Sequence, residues 1–295
     1  MPFWQLTVPA SADTSDGLTN FLWEHGALGV VEEESPEESP RLRAFFPETA
    51  SSTRLLGAVN TYRASLRSLG FAVSPTAPEI APLFDGDWAH AWQQSFPPIQ
   101  IGARLLIVPP WKIRKAGETG ERVQVIIEPG RAFGTGHHGS TEGCLALIDE
   151  ALRQTGPVLD IGTGTGILAI AAVKLGAPSA LAIDVDPDAI SAARENAERN
   201  GCADRVSVAF GGPETLKAGE PFPLVVANLL THTHLALVPR YQRLVAPGGL
   251  LILGGILAEE DQRLIDVLRE PAFGLITRRI VDGWASLLLR REAAS

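Results

Sequence analysis

Cysteine is scarce in this sequence. The two that occur, Cys144 and Cys202, lie far apart and form no C-x-x-C pattern, which argues against a disulfide framework and against a thiolate zinc site. Long apolar runs are missing as well: no stretch approaches the roughly 20 residues of a membrane span, and no basic leader precedes an apolar block at the N-terminus. The sequence therefore predicts a cytoplasmic protein with reduced thiols, no membrane contact and no metal site.

Lysine is absent from the first 95 residues, which carry twelve acidic residues against five arginines. This stretch therefore holds −7 of the formal net charge of −9. This concentration of negative charge repels the phosphates of nucleic acids and attracts cationic partners. Two interpretations stay open at this point: an ordinary solvated surface, or a face that binds a basic protein.

Short elements alternate over the first 80 residues in the order β-α-β-β-α-β, which predicts a small ferredoxin-like α+β domain. The predicted elements are Trp4–Pro9, Leu18–His25, Leu28–Glu32, Arg41–Phe46, Ser51–Leu69 and a last strand that starts at Phe71. The segment 74–87 is rich in proline and acidic residues and is interpreted as the interdomain connection. We place the linker at residues 81–98 and predict a short helix over 87–96 within it.

From residue 99 to 295 the pattern changes to a regular alternation of apolar strands and amphipathic helices, preceded by two strand-like runs at 103–108 and 123–128. This alternation is typical of a parallel sheet that helices cover on both faces. Two closing strands near the C-terminus, one of them antiparallel, predict a seven-stranded doubly wound α/β sheet. Ligands of such sheets bind beyond the carboxyl ends of the strands.

The first strand of this region runs into a glycine-rich turn, VLDIGTGTGILAIAA, with Asp160, Gly162, Gly164 and Gly166. Glycine allows a sharp turn and a close approach of the backbone to a ligand. A dinucleotide site needs G-x-G-x-x-G, but Ile167 stands where the third glycine is required. A carboxylate two residues before the first glycine suits a cationic ligand without a pyrophosphate. The turn favours S-adenosylmethionine, and an NAD-dependent oxidoreductase is the alternative.

Two further strands end in polar residues that fit the same ligand. Asp184 ends the second strand, where a carboxylate accepts hydrogen bonds from both ribose hydroxyls, whereas Asp186 before Pro187 is interpreted as a helix N-cap. Asn228 ends the fourth strand and is the predicted catalytic residue, because its side-chain oxygen can accept hydrogens from an amine that is being methylated. The alternative is that Asp184 and Asn228 are ordinary strand-end turn residues.

The segment EPGRAFGTGHHGST (128–141) is glycine-rich but lacks the lysine of a phosphate-binding loop. We predict that it closes over the cofactor. Its pair His137–His138, like the His232-x-His234 pair, lacks the further ligands that a metal site needs. His232 is kept as a minor alternative for a base near Asn228.

Five segments together resemble the ribosomal protein L11 methyltransferase family: EPGRAFGTGHH, DIGTGTGILAIAA, AIDVDPDAI, VVANLL and GGLLILGGIL. The resemblance covers roughly residues 85–290 and implies a Rossmann-like methyltransferase sheet behind a ferredoxin-like domain. It implies methylation of the α-amine and lysine amines of ribosomal protein L11, and ribosomal proteins are generally basic. The acidic charge predicts that the protein does not bind nucleic acid directly. The implied cofactor contacts are Thr141, Gly162, Asp184 and Asn228, to which the glycine turn adds Asp160, Gly164 and Gly166.

The sequence departs from the family pattern at two places near these residues. Gly139 and Ser140 replace the usual residues before Thr141, and Leu229 follows Asn228 where many members continue with Ile-Leu-Ala-Gly. On this interpretation, residues 1–80 recognise the substrate and residues 99–295 bind the cofactor. The alternatives are an enzyme of the same fold that acts on another protein, a glutamine amide or a small molecule, and a binding module without activity.

Overall fold

A computed structural model divides the chain into two compact units, residues 1–96 and 97–295, each with an apolar core of its own. No helix among the residues it describes is both long enough and apolar enough to cross a membrane. The described residues are 3–27, 29–33, 40–47, 49–83, 96–115, 117–129, 132–152, 156–216, 221–270 and 272–293.

The N-terminal unit is a four-stranded antiparallel sheet with two helices, and its strand order is β2-β3-β1-β4. The predicted order β-α-β-β-α-β is confirmed, and with it the ferredoxin-like arrangement. Apolar residues from β1, β3 and the two helices form the core, with Leu6, Leu42, Leu18 and Val59 fully buried. The elements are β1 (Phe3–Pro9), α1 (Ala12–Glu24), β2 (Gly29–Glu33), β3 (Arg41–Phe46), α2 (Ser52–Ser68) and β4 (Glu79–Leu83).

The predicted strand at Phe71 is wrong, because residues 71–78 form no strand. This stretch contains two prolines, which have no N–H to give to a ladder. In addition, Nη2 of Arg63 donates to the carbonyl oxygens of Ser74 and Thr76, both at 2.7 Å. The last strand begins only at Glu79 and pairs with β1, so part of the predicted connection 74–87 belongs to this sheet. The predicted helix over 87–96 lies, apart from Phe96, outside the described residues.

The second unit begins with a three-stranded sheet in the order β5-β6-β7. Its strands are β5 (Ile99–Ile101), β6 (Leu105–Val108) and β7 (Val123–Ile126). The two predicted runs are confirmed as β6 and β7, although both strands are shorter than predicted, and β5 was not predicted at all. β5 is only three residues long, which is too short for an alternation to be recognised.

The main sheet of this unit has seven strands in the order β10-β9-β8-β11-β12-β14-β13. Strands β8 to β12 are parallel and β14 is antiparallel to β12, which confirms the predicted doubly wound sheet. Its strands are β8 (Val158–Ile161), β9 (Ala180–Asp184), β10 (Val206–Phe210), β11 (Phe222–Asn228), β12 (Val245–Leu257), β13 (Phe273–Val281) and β14 (Trp284–Arg291). The helices of the unit are α3 (Gly139–Ala151), α4 (Ile167–Lys174), α5 (Pro187–Arg199), α6 (Thr231–Leu244) and α7 (Asp261–Arg269).

Alternate residues of the central strands enter two different cores, one on each face of the sheet. Val158 and Val226 pack with α3 and α4, whereas Leu159 and Val225 pack with α6 and α7. The strand order reverses at β8, which pairs with β9 on one side and β11 on the other. In sheets of this kind the crevice beyond the carboxyl ends at such a reversal is the ligand site.

Candidate cofactor-binding and active site

The turn between β8 and α4 has a backbone that only glycine adopts without strain. Gly162, Gly164 and Gly166 all have positive φ, at 71°, 53° and 82°. Space is also lacking at two of these positions: a β-carbon would meet Leu229 Cδ2 at Gly162 and the carbonyl oxygen of Phe133 at Gly164. The turn is therefore fixed both by its own dihedral angles and by the segments packed against it.

Asp160, which precedes this turn, is a fully buried carboxyl group with one unpartnered oxygen. Its Oδ2 accepts from Thr163 Oγ1 at 2.7 Å and from the Ala169 N–H at 3.1 Å, while Oδ1 has no hydrogen-bond partner. Burial raises the pKa of Asp160 to about 7, and the charge of Asp184 adds to this against the two hydrogen bonds. A buried acceptor without a partner costs free energy. A cationic or N–H-bearing group of a ligand at Oδ1 would offset this cost.

Asp184 joins the end of β9 to the glycine turn. Its Oδ2 accepts from the Gly164 N–H at 2.9 Å and its Oδ1 accepts from the Asp186 N–H at 3.0 Å. Each carboxylate oxygen can accept more than one hydrogen bond, and the side chain is only half-buried. It therefore keeps acceptor capacity for a diol. The separate prediction that Asp186 is the N-cap of α5 is confirmed, since Asp186 Oδ1 accepts from the Asp188 N–H at 2.9 Å.

The described part of the glycine-rich segment 128–141 lies against the glycine turn. The Thr165 N–H donates to the Phe133 carbonyl at 3.0 Å, and Thr165 Oγ1 donates to the carbonyl of Gly134. At the end of the segment, Nδ1 of His138 caps α3 through the Ser140 N–H at 3.3 Å. Arg131 lies outside the described residues. The segment therefore forms one wall of the crevice beside the turn.

Asn228 lies at the end of β11 with its amide oriented by a helix. Its Nδ2 donates to Thr141 Oγ1 at 3.2 Å, and Thr141 is fully buried in the first turn of α3. The Oδ1 of Asn228 is buried and has no hydrogen-bond partner. The amide thus offers an oriented, unused acceptor, which is what an incoming amine needs. The catalytic role that the sequence analysis gives to Asn228 stays a prediction.

The structure brings the predicted site residues to one edge of the sheet. Asp160 precedes the turn that Asp184 contacts, and Leu229, next to Asn228, packs on Gly162 in the same turn. The residues collected there are Thr141, Asp160, Gly162, Gly164, Gly166, Asp184 and Asn228.

Several apolar residues at this edge were not predicted. Val185 and Phe210, next to Asp184 in sequence and in the β9–β10 ladder, are 67% and 63% exposed. Phe133, whose carbonyl lies at Gly164, and Leu230, two residues after Asn228, are 50% and 51% exposed. Exposed large apolar side chains around a crevice are typical of a binding surface. The signal that would have found Val185 is its position between two aspartates at a strand end.

The histidines of α6 lie in different surroundings. His232 is exposed, whereas His234 is fully buried. Among the described residues, no group of three or more His, Cys, Asp or Glu side chains is placed to hold a metal ion.

Three features define the class of enzyme: the strand order of the main sheet, its antiparallel β14, and the contact between Asp184 and the glycine turn that follows Asp160. The protein is a class I methyltransferase that uses S-adenosylmethionine. The unpartnered Oδ1 of Asp160 and the unused acceptor capacity of Asp184 fit the cation and the ribose of that cofactor.

Comparison with known proteins narrows the class to a family. A family model described as Ribosomal protein L11 methyltransferase (PrmA) matches residues 2–292. The chain is 37% identical over 301 residues to the ribosomal protein L11 methyltransferase of Pseudomonas putida (strain W619), covering 99% of this chain and 100% of that protein. It is also 37% identical over 269 residues to that of Shewanella amazonensis, with coverage of 88% and 89%.

A solved structure agrees with these relatives. The ribosomal protein L11 methylase from Lactobacillus delbrueckii subsp. bulgaricus is 31% identical and superposes with a TM-score of 0.60, covering 66% of this chain and 98% of that chain. The chain belongs to the ribosomal protein L11 methyltransferase family. The predicted family, enzyme class and cofactor are thereby confirmed.

Proposed function

We propose that this enzyme transfers methyl groups from S-adenosylmethionine to the α-amine and lysine side-chain amines of ribosomal protein L11. The relatives' names support the substrate. The observation that carries the chemistry is the buried, unpartnered Oδ1 of Asn228, held in place by Thr141. Because the substrate is a ribosomal protein, we also propose the cytoplasm as the place of action.

Different residues at the edge of the sheet bind different parts of the cofactor. We assign the methionine end to Asp160 and to the turn Gly162–Gly166, and the ribose hydroxyls to Asp184. When bound, S-adenosylmethionine supplies a methyl group activated by a sulfonium charge. Val185 and Phe210 flank Asp184 with exposed apolar surface, which suits a purine ring. Thr141 acts here through Asn228, whose amide it orients.

The amine must reach the site neutral and correctly oriented. A free lysine has a pKa of about 10.4 and an α-amine one of about 7.7–8.0, so both are at least partly protonated at neutral pH. Asn228 Oδ1 accepts a hydrogen bond from an N–H of the neutral amine and thereby directs the amine lone pair, while the apolar side chains of Leu230 and Phe133 reduce contact with water. Orientation of this kind supplies much of the rate in a two-reactant transfer.

The N-terminal unit is the proposed substrate-recognition domain. Residues 1–95 hold −7 of the net charge of −9, and ribosomal proteins are generally basic. Complementary charge mainly raises the association rate and the specificity. The same field disfavours direct contact with nucleic acid.

Mass spectrometry of purified L11 after incubation with the enzyme and S-adenosylmethionine tests the proposal. We expect added masses of 14 Da per methyl group, located at the N-terminus and at lysines, and none with Asn228→Ala. The Asn228→Ala variant should keep its affinity for the cofactor within a few-fold. Unmodified L11 alongside rapid methylation of a glutamine amide or a small molecule would show that the substrate assignment is wrong.

A further inference from the structure

A fully buried histidine in α6 is connected by hydrogen bonds to the turn that follows Asn228. Nε2 of His234 lies 2.7 Å from the carbonyl oxygen of Gly254, and Nδ1 lies 2.8 Å from the hydroxyl of Tyr241, seven residues further along the helix. Tyr241 is fully buried as well. Tyr241 belongs to a buried apolar cluster that also contains Val238 and Leu264.

These contacts determine which ring nitrogen carries the proton. A carbonyl oxygen only accepts, so Nε2 must donate to Gly254. Burial lowers the pKa of His234 to about 4, although the backbone of Gly254 and Leu229 raises it, so the ring is neutral at neutral pH. Nδ1 therefore accepts, and Tyr241, whose pKa burial raises, donates its O–H. The imidazole is a neutral donor with a single orientation.

The Gly254 carbonyl, which accepts the hydrogen bond from His234, also holds the Asn228–Leu229 turn. It accepts from the Leu229 N–H at 3.1 Å, and Gly254 is the ladder partner of Asn228 between β11 and β12. On its other side, Leu229 packs against Gly162 in the glycine turn. A single carbonyl thus connects the helix, the end of β12 and the residue next to Asn228.

We propose that His234 is a positioning residue for methyl transfer, which fixes the Asn228–Leu229 turn through the carbonyl of Gly254. The proposal rests on the role given above to Asn228. His234 contacts neither the cofactor nor the amine; it acts by holding the acceptors at the end of β11 in register with the glycine turn. An apolar side chain would fill the same space at a lower desolvation cost, so packing alone does not explain an imidazole here.

Variants that keep or remove the N–H donor of His234 test whether it positions the Asn228–Leu229 turn. His234→Gln places an amide N–H near the position of Nε2 and is expected to keep at least one third of the wild-type kcat. His234→Leu removes both hydrogen bonds and is expected to lower kcat at least tenfold, with the Kd for S-adenosylmethionine unchanged within twofold. Tyr241→Phe, which leaves Nδ1 of His234 without its donor and so loosens the ring, is expected to lower kcat about threefold.

A matched control separates positioning from stability. Leu268→Ala makes a cavity in the same apolar cluster from α7, and is expected to lower Tm as much as His234→Leu without changing kcat below the transition. If His234→Leu and Tyr241→Phe keep the wild-type kcat, or if His234→Gln is as slow as His234→Leu, the proposal is wrong. If His234→Leu does not fold, a wild-type kcat in Tyr241→Phe or a kcat below one third of the wild-type value in His234→Gln overturns the proposal. Loss of activity in Asn228→Ala is measured independently, so a failure of the Asn228 assignment remains distinguishable.

Discussion

The carbonyl oxygen of Phe133 occupies the place that a β-carbon on Gly164 would need. Gly164 also has a φ of 53°, and its N–H is bound by Asp184 at 2.9 Å. Glycine is therefore required at this position for two reasons: it allows the sharp bend, and it lets the 128–141 segment pack against the turn. The requirement for glycine comes from the protein itself before any ligand is considered.

Gly164→Ala is accordingly expected to raise the Kd for S-adenosylmethionine at least tenfold, measured by calorimetric titration. Gly201→Ala is the matched control, because Gly201 has a similar φ of 63° but nothing within 4 Å of the added β-carbon. The control should lose about 1–2 kcal/mol of stability, because alanine is disfavoured at a left-handed φ, and should keep its affinity. Equal Kd values for the two variants would show that the Phe133 contact does not matter for binding.

Asp184→Ala is expected to weaken cofactor binding about 100-fold or more, since each hydrogen bond to a charged group contributes about 1.5–3 kcal/mol. The loss has two sources: the ribose acceptors disappear, and the N–H groups of Gly164 and Asp186 lose their partner. Asp186→Asn is the control, because asparagine is an equally good N-cap. An unchanged Kd in Asp184→Ala, by the same titration, would rule out the ribose assignment.

The buried carboxyl of Asp160 gives the ligand-free enzyme a pH-dependent stability. Its pKa is raised to about 7 in the folded protein, above about 3.9 in the unfolded chain. The unfolded carboxyl ionises first as the pH rises, so the free energy of unfolding falls between about pH 4 and pH 7 and changes little above that. Asp160→Asn removes this group. In urea unfolding, the free energy of unfolding of the variant minus that of the wild type should increase from about pH 4 to about pH 7. A difference independent of pH would contradict the prediction.

Strand spacing and strand-end chemistry were readable from the sequence because they depend on local patterns. Asp184 and Asn228 are the last residues of apolar runs, and the carboxyl ends of parallel strands meet at one edge. The absence of a strand at Phe71 was readable only in part: the two prolines of residues 71–78 are a local signal, but the binding of the Ser74 and Thr76 carbonyl groups by Arg63 is a tertiary contact that no local pattern shows. Likewise, nothing local shows that Leu229 covers Gly162 or that Phe133 covers Gly164, because these contacts join distant segments.

Removal of residues 1–96 is expected to leave the cofactor Kd unchanged and to abolish methylation of L11. The proposed cofactor residues all lie in the second unit, which has its own core, whereas the negative charge proposed to attract L11 lies in the first. Normal turnover of L11 by residues 97–295, measured by mass spectrometry, would refute this division between the units.

For the full-length enzyme, the KM for L11 should rise with ionic strength while kcat stays constant, because salt screens the attraction between the first unit and L11.

Asn196 gives a test of the wall beside the glycine turn. This fully buried side chain of α5 accepts from the Glu128 N–H at 3.1 Å and donates to the Thr165 carbonyl at 2.9 Å, so it ties the start of the 128–138 segment to the turn. Asn196→Leu keeps the volume and leaves both backbone groups without a partner. We expect faster amide exchange around Glu128 and Thr165, and a Kd for S-adenosylmethionine about tenfold higher.

Asn200, four residues after Asn196 and at the C-cap of α5, is the matched control for Asn196. Its side chain binds both the N–H and the carbonyl of Ile126 in β7, at 2.9 Å and 2.6 Å, and does not bond to the glycine turn. Asn200→Ala should therefore speed amide exchange at Ile126 alone and leave the cofactor affinity unchanged. If both variants weaken the cofactor equally, the effect of Asn196 passes through the general stability of β7 rather than through Thr165.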